Sequence, residues 1–410
     1  MRKALLMLAI TLFSLSQAQT QIRIAGFDGD ASQVNQVLDE AVRPMLEGED
    51  IEIIYEPIPG DFNQYITNAL SAGTAPDLFY IDIYWADGVI ETGAIDPVGD
   101  LLPDGYEDDF ISTISTAYLR DDGLYGLPKD FNNLVVEYNK DIFDEAGVDY
   151  PSADDTWETF QEKLAAVQSS LDDTYGVCVV PDMARLGAFA FATGWRPFND
   201  EGRTVLDDAF RRAFEFYTGL VENGAGITQD VVGSPGWTGG CFATDQVAVA
   251  IEGLWIAGFL NDQAPNLEYG TAPLPLDPVT GERGNFIFTN AWALNSATED
   301  KEAAIKVMEA LLSPEAQAIN LSAGTSLPSR DGLQDLPFFQ EDSKSAELAR
   351  VSLEAAQGAN ILPYRWETYG PRWQEILDAA INAVLLGEQT VDEALTEAQE
   401  NLDELTGHSQ

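Results

Sequence analysis

The sequence predicts an α/β protein of two lobes, each an open, mostly parallel sheet flanked by helices, with a hinge and a cleft between the lobes. Three observations carry this. Near the N-terminus, strand-like and helix-like patterns alternate as β-α-β-α-β, the order of a parallel sheet with helices on both faces. The chain has 410 residues, too many for one compact core. No repeat or low-complexity linker divides it. Lobes without a linker are joined by several short crossings, and several crossings make a hinge.

Residues 1–18 read as a secretory signal. Arg2 and Lys3 are the positive start, residues 4–15 (ALLMLAITLFSL) the apolar run, and Ser16-Gln17-Ala18 the small-x-small site, with cleavage expected after Ala18. The run is shorter than the roughly 20 residues that span a bilayer. No cysteine stands at the cleavage site to take a lipid anchor. The expected mature protein is free in an extracytoplasmic space, a periplasm.

Residues 21–27 (QIRIAGF) alternate apolar and polar and predict the first strand; a turn follows at Asp28-Gly29-Asp30. Val34, Val37, Leu38, Val42 and Met45 then fall at helical spacing. Residues 51–57 predict a second strand, Phe62, Tyr65, Ile66, Ala69 and Leu70 a second helix, and residues 77–83 (DLFYIDI) a third strand. Further strands are expected at 134–138, 175–180 and 246–253, with a helical stripe at Phe160, Leu164, Val167 and Leu171. The Pro- and Gly-rich stretch 269–284 reads as a loop, and 285–295 alternates as one more strand. Ala304, Val307, Met308 and Leu311 mark a helix, and Ser313-Pro314 starts the next, Ser as N-cap and Pro at the first helical position. Two amphipathic helices end the chain. Trp373, Ile376, Leu377, Ala380, Ile381, Val384 and Leu385 line the first, which Gly387 stops, and Thr390 with Glu393 forms a capping box for the second.

The formal charge is −48; without Arg2 and Lys3, 19 basic residues face 69 acidic ones. Such a surface repels phosphate backbones and anionic lipid, which excludes nucleic acid and membrane surfaces as partners. The acids are dispersed along the chain and serve solubility. The single histidine, His408, sits in a polar tail, so there is no His-based triad and no HExxH zinc site. No cofactor or metal is expected. Cys178 and Cys241 either form a disulfide, as an oxidising compartment permits, or are two small buried thiols.

Five stretches together resemble the sugar-type extracellular solute-binding proteins of ABC importers, the maltose-binding-protein-like group. They are residues 75–85 (APDLFYIDIYW), 123–143 (GLYGLPKDFNNLVVEYNKDIF), 240–255 (GCFATDQVAVAIEGLW), 290–317 with its LLSPEAQ, and 373–395 with AINAVLLGEQTVDEAL. The order and spacing are specific where each motif alone is modest; Gln246 departs from a frequent Gly-Lys of the family. The resemblance implies a type II periplasmic-binding-protein-like fold. Lobe 1 would comprise residues 19–128 and 289–337, and lobe 2 residues 129–288 and 338–410. It also implies a sugar closed between the lobes, docking on permease subunits, and a monomer.

Sugar recognition needs flat apolar rings against pyranose C–H faces and charged or amide groups for the hydroxyl rim. Loops at the carboxyl ends of strands are where such sheets bind ligands. Asp28 and Asp30 stand at one such end, as hydroxyl acceptors or as turn and cap residues. Asp82, Tyr84 and Trp85 follow the third strand. Asp130 and Phe131, in Lys129-Asp130-Phe131-Asn132, stand at the first expected crossing, and Asn290 and Trp292 at the return. In the second lobe Trp237 lies in the Gly-rich SPGWTGG and Trp255 matches the family's G-x-W; Trp195 is a loop residue or packs on the lobe. Tyr369, Arg372 and Trp373 precede the long helix, and Trp373 is also in phase with its apolar stripe.

Other readings remain open at this level. A glycoside hydrolase would need two carboxylates about 5–10 Å apart, and 69 acids supply such pairs by composition alone. The motif order argues for a binding protein and not an enzyme. A polyamine would also suit an acidic cleft with aromatic walls.

Overall fold

The computed structural model describes residues 19–233, 236–358 and 360–408; the expected signal at 1–18 lies outside them. In chain order its strands are β1 (Thr20–Phe27), β2 (Ile51–Ile58), β3 (Leu78–Asp82), β4 (Ile95–Asp96), β5 (Leu119–Arg120), β6 (Gly123–Leu124), β7 (Leu127–Pro128) and β8 (Val135–Asn139). There follow β9 (Tyr175–Val179), β10 (Gly226–Thr228), β11 (Val247–Glu252), β12 (Tyr269–Ala272), β13 (Asn285–Ile287), β14 (Asn290–Asn295) and β15 (Ile361–Pro363).

Two sheets form the two lobes. The first has the order β2-β1-β3-β14-β4, with β7 also on β14; the second has the order β10-β9-β11-β8-β12. In each, a single strand is reversed. β14 runs antiparallel to β3, β4 and β7, and β8 antiparallel to β11 and β12, while β1 pairs β2 and β3, and β9 pairs β10 and β11, in parallel. The continuous apolar runs of β3 and β11 follow from this, because helices cover both faces of such sheets.

Side chains cap these helices, at Ser313 and Thr390 where the sequence indicates and at Asp61 besides. Asp61 accepts from the Gln64 N–H and opens helix Phe62–Ala72, whose Phe62, Ile66 and Ala69 turn inward. Ser313 caps helix Pro314–Ser322, and Thr390 with Glu393 forms a capping box on Val391–Leu405. The last two helices pack together, and Pro371–Leu385 also packs on helices Met183–Ala192 and Asp208–Glu222 of the second lobe.

The crossings lie side by side. The Phe131 N–H donates to the Leu327 carbonyl at 2.9 Å, and Asn132 exchanges backbone bonds with Phe288. A disulfide joins Cys178 on β9 to Cys241 ahead of β11, with Cα atoms 6.3 Å apart.

Three local expectations differ from the structure. The stretch 269–284 is not all loop, because Tyr269–Ala272 is the edge strand β12. Gly270 hides it, and a Cβ there would meet the Tyr138 hydroxyl at 2.4 Å, so this glycine marks close approach and not a turn. The single strand expected over 285–295 is two, since β13 leaves to pair with β15 and β14 enters the first sheet. The regular helix expected from Val34 to Met45 is interrupted, because Leu38–Val42 is a π-helical segment between Ala31–Val37 and Arg43–Met45.

Candidate binding cleft

The carboxyl ends of β3, β9 and β11 converge on the space between the lobes, the place where open α/β sheets hold ligands. A cavity of about 390 Å³ lies at the ends of β9 and β11, lined by second-lobe residues, Asp182, Arg185, Gln229, Trp255, Tyr364 and Asp378 among them. That is the lower end of the range of roughly 300–1,000 Å³ for small-molecule sites.

Its second-lobe wall is a connected polar network. Asp182 follows β9, caps helix Met183–Ala192 through the Ala184 N–H at 2.7 Å, and accepts from Arg185 Nη1 at 2.8 Å. Arg185 also pairs with the fully buried Glu252. Asp378 accepts from the Met183 N–H at 2.6 Å and from Gln374 Nε2 at 3.2 Å, and the Tyr364 hydroxyl bonds Gln374 Oε1. Burial, with the charge of Asp182 adding to it, pushes the Asp378 carboxyl up to about 7. Trp255 stands beside this network, its Nε1 donating to Glu252 at 2.9 Å and Phe288 meeting its ring edge-on at 5.5 Å. Two buried polar atoms of the lining residues, Arg185 Nε and Gln229 Oε1, have no hydrogen-bond partner among the described residues.

On the first lobe, polar groups gather at the end of β3, outside the lining of this cavity. Asp82 Oδ1 accepts from the Tyr84 N–H at 3.3 Å, and Asn290 on β14 lies directly opposite Asp82 in register. Burial pushes the Asp82 carboxyl up to about 7; the Asp130 charge raises it further, while backbone donors and Lys129 oppose. Asp130 is buried in an ion pair with Lys129, whose ammonium sits 4.8 Å from the Tyr80 ring centroid.

Tyr84 and Tyr364 meet at 5.7 Å and separate this cavity from a larger one of about 930 Å³. The larger cavity is lined by Asn63, Gln64, Asn68 and Tyr84, by Trp85, and by Tyr369 and Arg372 from the loop and helix start of the other lobe. Trp85 is 8% exposed, and its Nε1 has no partner among the described residues. Burial, then the Asp82 charge, pushes the Tyr84 hydroxyl up to about 12.

The structure thus gathers Tyr84, Trp85, Tyr369 and Arg372 in one cavity, Trp255 in the other, and Asp82, Asp130 and Asn290 near the crossings. Three expected ligand contacts are instead packing residues. Phe131 is 1% exposed and bridges to Leu327 in the interior. Trp292 is 2% exposed against the Tyr80 ring. Trp373 has no exposed surface, stacks on Trp366 at 4.3 Å and donates to Thr204 Oγ1 at 2.7 Å. Asp28 is exposed on its turn and lines neither cavity, and the Asp30 side chain lies outside the described residues. Trp237 packs edge-on against Phe259 at 4.7 Å, while its neighbour Gly236 lines the smaller cavity. Trp195 is core.

Sequence reasoning missed Asp182, Arg185, Gln229, Tyr364, Gln374 and Asp378. One of these had a signal: Asp182 follows the end of the strand expected at 175–180, as Tyr84 follows the end of β3 on the other lobe.

Comparison with known proteins agrees with this architecture. A putative binding protein of Brucella abortus is 26% identical over 89% of this chain and 88% of its own. The ABC substrate-binding protein of Listeria monocytogenes, solved with cycloalternan, superposes with a TM-score of 0.84 at 21% identity, over 95% of this chain and 99% of that one. The GacH receptor of Streptomyces glaucescens, solved unliganded and with acarbose, does so at 0.81 and 19% identity, over 96% and 100%. The profile described as "Bacterial extracellular solute-binding protein" matches residues 40–347, most of the chain's length. With that match and a cleft between two lobes of the same architecture, the chain belongs to the bacterial extracellular solute-binding protein family.

Proposed function

We propose that the chain binds a saccharide between its lobes and delivers it to the permease subunits of an ABC importer by hinge closure. One observation carries the reading. A single cavity couples the Trp255 ring with the polar side chains of Asp182, Arg185, Gln229 and Asp378. Rings for C–H faces beside donors and acceptors for hydroxyls are what a sugar requires. The larger cavity repeats the chemistry with Trp85, Tyr84, Tyr369, Arg372 and amides, giving room for an oligosaccharide. The Listeria and Streptomyces structures, solved with the saccharides cycloalternan and acarbose, support this choice.

Within this proposal the carboxylates bind hydroxyls and break no bond. The protein works as a monomer in the periplasm, after cleavage behind Ala18 and without a lipid anchor. Lobe 1 is residues 19–128 and 289–337, lobe 2 residues 129–288 and 338–410. Asp28, Asp82, Asp130 and Asn290 serve as hydroxyl partners once the lobes adjust around the sugar.

Four carboxylates near the cleft, Asp82, Asp130, Asp182 and Asp378, favour a polyamine as the second reading. It is weaker, because Lys129 and Arg185 already neutralise Asp130 and Asp182. Calorimetry or thermal shift across mono-, di- and trisaccharides and spermidine tests both, since a ligand that binds only the folded state raises its stability. A Tm rise with spermidine alone sinks the saccharide reading. Release of chromophore from an aryl glycoside would sink the non-enzyme part.

A further inference from the structure

Glu252 closes β11 with a carboxylate that has no exposed surface. A buried charge is costly unless it is paired and fully hydrogen-bonded. Here four donors meet it. Oε2 accepts from Arg185 Nη2 and, at 2.9 Å, from Trp255 Nε1. Oε1 accepts from the Thr238 hydroxyl at 2.6 Å and the Gly239 N–H at 3.3 Å. Two of the four donors, Arg185 and Trp255, line the cleft cavity. The other two open helix Thr238–Phe242, just after Gly236, which lines the same cavity.

The neighbouring glycine completes the arrangement. A Cβ on Gly253 would meet the Trp255 ring at 2.4 Å, so the indole folds back over the end of β11 onto a residue with no side chain. The segment Glu252-Gly253-Leu254-Trp255 therefore supplies an acceptor for the indole N–H, room for the ring, and the ring itself. Arg185, held by Glu252 through Nη2 and by Asp182 through Nη1, keeps its Nε without a partner among the described residues.

We infer that Glu252 is the positioning residue of the binding site: it touches no ligand, and it sets both the plane of the Trp255 ring and the direction of the Arg185 guanidinium. The inference rests on reading the cleft as the saccharide site. It explains why a strand ends in a buried acid where packing alone would favour an apolar residue. Orientation by a buried hydrogen-bonding group is how precise sites are kept from drifting.

The test uses the full chain labelled with 5-fluorotryptophan, with Glu252→Gln and Glu252→Asp as variants and Trp255→Phe to identify the Trp255 ¹⁹F resonance. Gln keeps the volume and removes the charge; Asp keeps the charge and serves if the Gln variant does not fold. In the ligand-free variants the Trp255 resonance should shift and broaden while resonances remote from the cleft stay in place. Affinity for the tightest-binding saccharide of the panel should fall about tenfold, the effect of losing one bond to a charged group. An unmoved Trp255 resonance overturns the inference, even if Tm falls, because a purely structural role lowers Tm alone. A parent protein that binds no saccharide sinks the proposed function instead and leaves the resonance to decide the role of Glu252.

Discussion

Asp87, on helix Ala86–Glu91 after β3, and Arg365, on the loop after β15, form an ion pair between the lobes, Arg365 Nε lying 2.8 Å from Asp87 Oδ2. Asp87 is only 6% exposed and holds Arg120 Nε at 2.6 Å as well. One carboxylate thus binds an arginine of its own lobe and one from the other. Arg365→Gln should weaken the closed form, at a cost of about 1–2 kcal/mol because Asp87 keeps Arg120. Small-angle scattering of the ligand-free variant should show a larger radius of gyration than the parent. Equal radii would mean that the ion pair does not hold the lobes together.

Trp255 and Trp373 should separate binding from stability. Trp255→Ala removes a ring on the cavity wall, and saccharide affinity should drop by about 10- to 100-fold, the scale of a lost hot-spot ring. Trp373→Ala leaves a hole among Trp366, Trp195 and Phe198 and should cost about 3–5 kcal/mol of stability. Paired denaturation and calorimetry check this. If Trp373→Ala abolishes binding at full stability, the packing assignment is wrong.

Stability should fall as pH rises from about 4 to 7 through two groups. Asp82 and Asp378, both pushed up to about 7, hold protons in the folded state that the unfolded chain has already released at that pH. Their contribution is complete below about pH 4 and is lost as pH climbs through 7. Asp378→Asn should flatten the slope of Tm against pH between 5 and 8. A slope unchanged by Asp82→Asn and Asp378→Asn together would remove these groups from the account.

Reduction should act on the second lobe. The Cys178–Cys241 bond closes 63 residues of chain, a constraint worth about 4 kcal/mol in the loop-entropy model. Both cysteines contact second-lobe elements only, in a small cluster with Val180, Ile227 and Val247. A reductant should lower the denaturation midpoint of that lobe, read by the fluorescence of Trp157, which lies within it. An unchanged midpoint would show the bond to be dispensable.

Much of the frame was legible because apolar runs and caps are local. β1, β2, β3, β9 and β11 lie where alternation and apolar runs place them, and Ser313 and Thr390 cap the helices that their neighbours announce. The site was half legible. Asp82 ends a strand and Tyr84 and Trp85 follow it, a rule visible in sequence, but that rule does not say on which side of the sheet edge a ring lies. Hence Phe131 and Trp292, one residue beyond Asp130 and two beyond Asn290, point inward. Trp373 carried its own warning, being in phase with Leu377 and Ala380 on the buried face of its helix. Tyr364, Gln374 and Asp378 reach the cleft from a segment far from β9 in sequence, and only the fold brings them to Asp182.

The reversed strand of the first sheet has a consequence for biosynthesis. Among the described residues β4 has no partner in its sheet except β14, and β14 sits between it and β3. A ribosome must therefore emit residues 290–295, with all five strands of the second sheet already made, before the first lobe can complete its sheet. The nascent chain cannot finish folding its N-terminal half until the second sheet has been made.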